Sequence, residues 1–122
     1  MKKDKRNTAP SHGNQLGFTI IDKGTEIEGD IITEKNIKLN GRFKGKCISK
    51  RKVIISDQCQ LEGTIEGQFV DIYGKVNGDI NADNLLFIAS TAMIEGKCFT
   101  KKIKIDEGAV IKGNINMKRN GE

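Results

Sequence analysis

From residue 18 onward, single aliphatic residues alternate with polar ones, the period expected of strands that bury one face. One five-residue pattern recurs six times: an aliphatic or aromatic residue, any residue, Gly, any residue, then an aliphatic residue or Cys. The instances begin at Ile27, Phe43, Leu61, Val76, Ile94 and Ile111, and their glycines step by 16, 18, 15, 18 and 17 residues. Between successive instances lies a second alternating pair: Ile37 with Leu39, Val53 with Ile55, Val70 with Ile72, Leu86 with Ile88, and Ile103 with Ile105. Each repeat is therefore predicted to hold two or three short strands joined by corners. The stretch Asn84 to Met93 is apolar enough to suggest a helix, but Ile88 and the surrounding repeat favour a strand.

A five-residue strand cannot bury its apolar face alone. Coiling the chain so that each repeat lies on the one before stacks equivalent positions about 4.8 Å apart and makes a continuous core. The expected fold is all-β, a single-domain parallel β-helix of about six coils and roughly 30 Å in length. The repeated Gly is expected at a bend, or where a Cβ would strike the adjacent coil. The position before the Gly reads Glu28, Lys44, Glu62, Asn77, Glu95, Lys112, and the position after it reads Asp30, Lys46, Thr64, Asp79, Lys97, Asn114. Stacked coils would set opposite charges side by side and so help to fix their register.

Nothing in the pattern resembles a cap at either end. The first structured residues include Phe18 and Ile20, followed by Ile27 and Ile31. The last coil holds Ile103, Ile105, Val110, Ile111 and Ile115. An uncapped solenoid offers an open β-edge at each end, so these nine residues are the expected contacts of a homopolymer built by end-to-end stacking.

Composition narrows the reading further. The length of 122 residues allows one domain with tails. Residues 1–17 are expected to be a disordered basic tail, 18–115 the β-helix, and 116–122 a short polar tail. The net charge of +5 gathers in the tails, above all as Lys2, Lys3, Lys5 and Arg6 against Asp4. Displayed many times along a polymer, these four cations would tether it to an anionic membrane surface or to a partner protein. Lys50-Arg51-Lys52 and Lys101-Lys102 form further basic clusters at one corner of the second and fifth coils. Nucleic acid ranks below a membrane as a partner because no stacking aromatics accompany these charges, Tyr73 being the only Tyr.

Cys47, Cys59 and Cys98 are odd in number and irregularly spaced, and no apolar run resembles a signal peptide or a membrane span, which points to free thiols in a reducing cytoplasm. Cys47 and Cys98 share a column three coils apart, too far for a disulfide or a shared metal, and Cys59 is expected on a different strand. The lone histidine, His12, falls in the N-terminal tail, and carboxylates such as Asp57, Asp71 and Asp106 are scattered singly. No acid–base constellation, cofactor motif or metal set is present, so catalysis is not expected. The alternatives to a polymer are a β-solenoid acyltransferase-like enzyme, whose six-residue beat and His base are both missing here, and a non-polymerising binding adaptor.

Four segments carry a resemblance to a known family: Gly24-Thr25-Glu26-Ile27-Glu28-Gly29-Asp30-Ile31, Leu39-Asn40-Gly41-Arg42-Phe43-Lys44-Gly45, Val76-Asn77-Gly78-Asp79-Ile80 and Glu107-Gly108-Ala109-Val110-Ile111-Lys112-Gly113. In order and spacing, across about residues 18–115, the chain resembles a bactofilin of the bacterial cytoskeleton. The resemblance implies a right-handed, roughly triangular β-helix that polymerises end to end without nucleotide. It also implies a place at the inner face of the cytoplasmic membrane, positioning cell-wall or shape-determining proteins. Some members carry a short apolar membrane-targeting segment at the N-terminus, whereas here Met1 is followed directly by charged residues.

Overall fold

The computed structural model describes residues 18–22 and 24–117. Nine strands follow one another: β1 (Phe18–Ile21), β2 (Glu26–Thr33), β3 (Asn36–Leu39), β4 (Arg42–Ser49), β5 (Lys52–Ile55), β6 (Gln60–Ile72), β7 (Lys75–Ile88), β8 (Met93–Ile105) and β9 (Val110–Met117). Every pairing is parallel, and the strands form two ladders that run the length of the molecule. A short ladder joins β1, β3, β5 and the second halves of β6, β7 and β8. A long ladder joins β2, β4, the first halves of β6, β7 and β8, and β9. Each coil contributes one rung to each ladder, giving a parallel β-solenoid of about six coils.

The inward columns are those expected from the alternation. Ile37, Val53, Val70, Leu86 and Ile103 share one register column of the short ladder, and Leu39, Ile55, Ile72, Ile88 and Ile105 the next. In the long ladder, Ile27, Phe43, Leu61, Val76, Ile94 and Ile111 form one column. Ile31, Cys47, Ile65, Ile80, Cys98 and Ile115 form another. In the central coils these side chains have almost no solvent exposure, so the core is a stack of aliphatic layers one residue deep per coil. Of the stretch Asn84 to Met93, Asn84 to Ile88 is strand within β7, as its place in the repeat predicts, whereas Ala89 to Ala92 turn the corner before β8 begins at Met93.

The glycine column meets the second of the two expectations, a Cβ that would strike the adjacent coil. Gly63 has φ +134°, a conformation that L side chains rarely adopt. A Cβ there would fall 1.9 Å from the carbonyl oxygen of Gly45 in the coil below. The backbone at this residue lies directly against its neighbour's.

Variable repeat length resides in the corners. Where the short rung passes to the long one, segments 22–25, 56–59, 89–92 and 106–109 have four residues, while 40–41 and 73–74 have two. A two-residue corner nests against the four-residue corner of the coil below. At Gly74 a Cβ would sit 2.2 Å from the carbonyl oxygen of Ser56 and 2.7 Å from that of Cys59. Cys59 thus lies in a corner and not on a strand as expected, because this position closes a four-residue turn and donates its N–H to the Ser56 carbonyl at 2.9 Å. The last rung extends two residues beyond the expected boundary at 115. Asn116 and Met117 continue β9 in register with Phe99 and Thr100.

Candidate functional site at the two ends of the coil

Interior strands are hydrogen-bonded on both sides, but among the described residues β1 and β2 at one end and β9 at the other have a single neighbour each. The Lys102–Ile105 half of β8, which ends the short ladder, is likewise paired on one side among the described residues. Among the described residues, each end therefore presents a row of backbone N–H and C=O groups without a strand opposite, the arrangement that templates strand addition.

The side chains follow the same logic. Ile88 is fully buried, yet Ile105, one coil further along the same inward column, is 46% exposed. Ile103, Ile111 and Ile115 are half-buried at that end, and Ile27 and Ile31 at the other, although each shares a column with fully buried residues. The core thus runs out to solvent at both rims. Each rim side chain lacks only the layer that another coil would supply.

Two of the expected contact residues stand differently. Ile20 is in register with Lys38, and Val110 with Met93, so both belong to outward columns and flank the rims instead of flooring them. The alternation is shifted by one residue from what adjacent apolar pairs suggest. In Ile20-Ile21 and Val110-Ile111 one member must face outward, and it is the first. Phe18 occupies β1 opposite Asn36. Three further residues lie at the rims, of which Met117 and Ile32 were not singled out from the sequence. Ile21 completes the inward column of Leu39, Met117 ends the column of Thr100, and Ile32 points outward at 73% exposure. The consecutive pair Ile31-Ile32 was the available signal for the last of these. Lys2, Lys3, Lys5 and Arg6 lie outside the described residues.

The rims also differ in charge. Glu26, Glu28 and Asp30 stand exposed on β2, while Lys112 stands on β9 with Asn114 and Asn116. Between the ends the charge columns are in the expected register. Lys44 lies between Glu28 and Glu62, Lys46 follows Asp30, and Lys97 follows Asp79. The backbone N–H of Lys46 also donates to Asp30 Oδ1 at 3.3 Å.

The buried thiols are chemically quiet. Burial pushes the Cys47 and Cys59 thiols up to about 12, with Cys59 adding to the effect on Cys47, and pushes Cys98 to about 11. At neutral pH they are protonated and enclosed, which suits small core residues and does not suit nucleophiles. A groove of about 690 Å³ runs along the coil axis beside the Glu28–Lys44–Glu62 column. Its walls mix cations, carboxylates, amides and aliphatic side chains, without a histidine.

Comparison with known proteins agrees with a rod that has unfinished ends. The family model for bactofilin, described as polymer-forming cytoskeletal, matches residues 19–116, which is the whole coil. The chain is also similar to Bactofilin BacO of Myxococcus xanthus (strain DK1622), with 30% identity over 102 residues, covering 84% of this chain and 81% of that protein. No solved structure matches the chain significantly. With the match spanning both rims and every coil between them, the chain belongs to the bactofilin family, a family of polymer-forming cytoskeletal proteins.

Proposed function

We propose that this protein is a structural scaffold that stacks end to end through its two rims into filaments, without nucleotide and without catalysing a reaction. The observation that carries the reading is the continuation of the core columns to the surface. Ile27 and Ile31 at one rim, and Ile103, Ile105, Ile111 and Ile115 at the other, are core residues lacking one covering layer. Burying them against a second copy would recover the apolar surface they expose, at about 25 cal/mol per Å², and would pair the open strand edges. Because each molecule has two such rims, association extends into a filament and does not stop at a pair.

The finer parts of the proposal concern where the filament lies. The basic residues Lys2, Lys3, Lys5 and Arg6 would tether it to the anionic inner face of the cytoplasmic membrane, where it would organise cell-wall or cell-shape proteins. Four cations bind weakly in one chain and usefully when many copies are linked.

Negative-stain electron microscopy of the purified chain without nucleotide, beside sedimentation over a concentration series, tests the polymer. Long thin filaments are expected from the native chain. Ile111→Arg is expected to give a folded protein, with native circular dichroism, that forms no long filaments. Discrete particles of the native chain, or unchanged filaments from Ile111→Arg together with Ile105→Arg, would refute the assignment of the rims as polymer contacts.

A further inference from the structure

The outward face of the short ladder differs from the rest of the surface. Its two columns read Phe18, Asn36, Lys52, Phe69, Leu85, Lys102 and, beside them, Ile20, Lys38, Ile54, Asp71, Phe87, Lys104. Phe69 and Leu85 are direct register partners, and Phe69 is 41% exposed. Tyr73, at the adjoining corner, meets Phe87 edge to face at 5.9 Å. These side chains make an apolar strip in the middle of the rod, flanked by Lys38 and Lys52 on one side and by Lys102 and Lys104 on the other, with Ile20 beyond Lys38 at the rim. The single carboxylate of the two columns, Asp71, is held by Lys52 at 3.3 Å. The corner leading into this face adds Lys35, Lys50, Arg51 and Lys101 against Glu34 and Asp83. By contrast, the outward columns of the long ladder mix both signs.

We infer that this face is a docking surface for an anionic lipid bilayer: the Phe69, Leu85 and Phe87 strip enters the interfacial region, and the surrounding lysines meet acidic headgroups. Three observations select this occupant. The face is flat and sheet-like, with an apolar centre and a cationic surround, which complements an interface that is apolar beneath and negative above. The four cations on its two columns are all lysines, flexible point charges suited to a diffuse anionic surface, with no arginine fork for one phosphate or carboxylate. The Phe87 ring is already engaged, by Tyr73 at its edge and by Lys104 Nζ at 5.8 Å from its centroid, so it is not a free platform on which a nucleobase could stack. The inference rests on the filament reading only for avidity. Stacked copies would repeat the face about every 30 Å, so that one bilayer meets all of them at once.

The test is co-sedimentation of the full chain with phosphatidylglycerol-containing vesicles and with pure phosphatidylcholine vesicles. Electron microscopy of the same samples without lipid serves as a separate readout of assembly. The native chain is expected to bind the anionic vesicles and to release them in high salt. Removing one lysine in Lys38→Gln is expected to weaken binding about fivefold, and Phe69→Ser with Leu85→Ser is expected to abolish it, with native circular dichroism and unchanged assembly. Lys97→Gln, on the long ladder, is the control and should leave binding unchanged.

Vesicle binding that survives in the Phe69→Ser, Leu85→Ser and Lys38→Gln variants but vanishes when Lys2, Lys3, Lys5 and Arg6 are replaced by Gln would assign the membrane contact to the tail and overturn the inference. No binding to anionic vesicles, or binding to single-stranded nucleic acid that depends on Phe69, would overturn it too. Face-dependent vesicle binding by a chain that forms no filaments would support this surface while refuting the polymer reading.

Discussion

Gly78 combines two constraints that act on one atom. Its φ of +142° is strained for any L side chain, and a Cβ would lie 1.8 Å from the carbonyl oxygen of Gly63, a backbone atom that cannot rotate away. The conformational part costs about 1–3 kcal/mol and the collision adds a similar amount, so Gly78→Ala should remove about 3–5 kcal/mol in urea unfolding. Gly29 has a comparable φ of +128° but nothing within 4 Å of the added atom, because it lies on the first rim. Gly29→Ala should therefore cost only the conformational part, leave the molecule folded, and interfere with filament growth, since the new methyl group projects from a polymer contact. Equal destabilisation by the two changes would show that the stacked carbonyl is not what demands glycine. The thiols make a second residue-level prediction. Their folded-state values of about 11–12 exceed the ordinary 9.0, so above pH 9 the unfolded chain releases protons that the folded chain retains. Stability should be unaffected below that pH and fall as pH climbs toward 11, by at most about 1.4 kcal/mol per pH unit for each thiol. Cys98→Ala should make the decline shallower in denaturant titrations at pH 8 and pH 10.5.

Strands in a solenoid have little beyond their neighbours to specify register, which gives the charge columns an element-level role. Lys44 on β4 is flanked in register by Glu28 on β2 and Glu62 on β6. Lys44→Gln removes the attraction and should cost about 0.5 kcal/mol, whereas Lys44→Glu sets three glutamates in a row and should cost about 1 kcal/mol more. High salt should narrow that gap, and identical losses at low salt would refute a role in register. The same elements explain what could be read beforehand. Six Gly-centred motifs and their paired aliphatics identify the coils, their count and nearly every core column, because a period of two leaves only two choices of face. Where two apolar residues are adjacent, as at Ile20-Ile21, Val110-Ile111 and Ile31-Ile32, periodicity alone does not say which one faces inward. Corner geometry was equally hidden. The placement of Cys59 and the need for glycine at position 74 follow from a two-residue turn nesting against the four-residue one of the coil below, a contact between segments 15 residues apart in sequence. The apolar strip of Phe69, Leu85 and Phe87 was obscured because Leu85 and Phe87 interleave with the core residues Leu86 and Ile88 and read as part of one buried run.

A stack of coils is close to a one-dimensional system, in which each unit is held by its neighbours and a terminal unit has one neighbour fewer. Such a molecule should open from its rims, and the half-buried state of Ile27, Ile31, Ile111 and Ile115 beside the fully buried Ile65 and Ile80 is the static sign of that gradient. Polymerisation changes the boundary condition, since a rim covered by another copy becomes an interior coil. Hydrogen exchange followed by mass spectrometry should read both effects. In Ile111→Arg, amides of β6 and β7 should exchange slowest and those of β9 fastest, while in native filaments β1, β2 and β9 should each gain at least about tenfold protection, equivalent to 1.4 kcal/mol. Uniform protection along the variant, or rims that stay unprotected in filaments, would mean that the terminal coils are not where copies meet. The opposite rim of the same variant then reports the filament's direction. Ile111→Arg alters only the β9 end, so β1 and β2 can remain covered only if the β2 end of one copy meets the β2 end of another. Retained protection there marks a filament in which like ends meet, and its loss marks one in which unlike ends alternate.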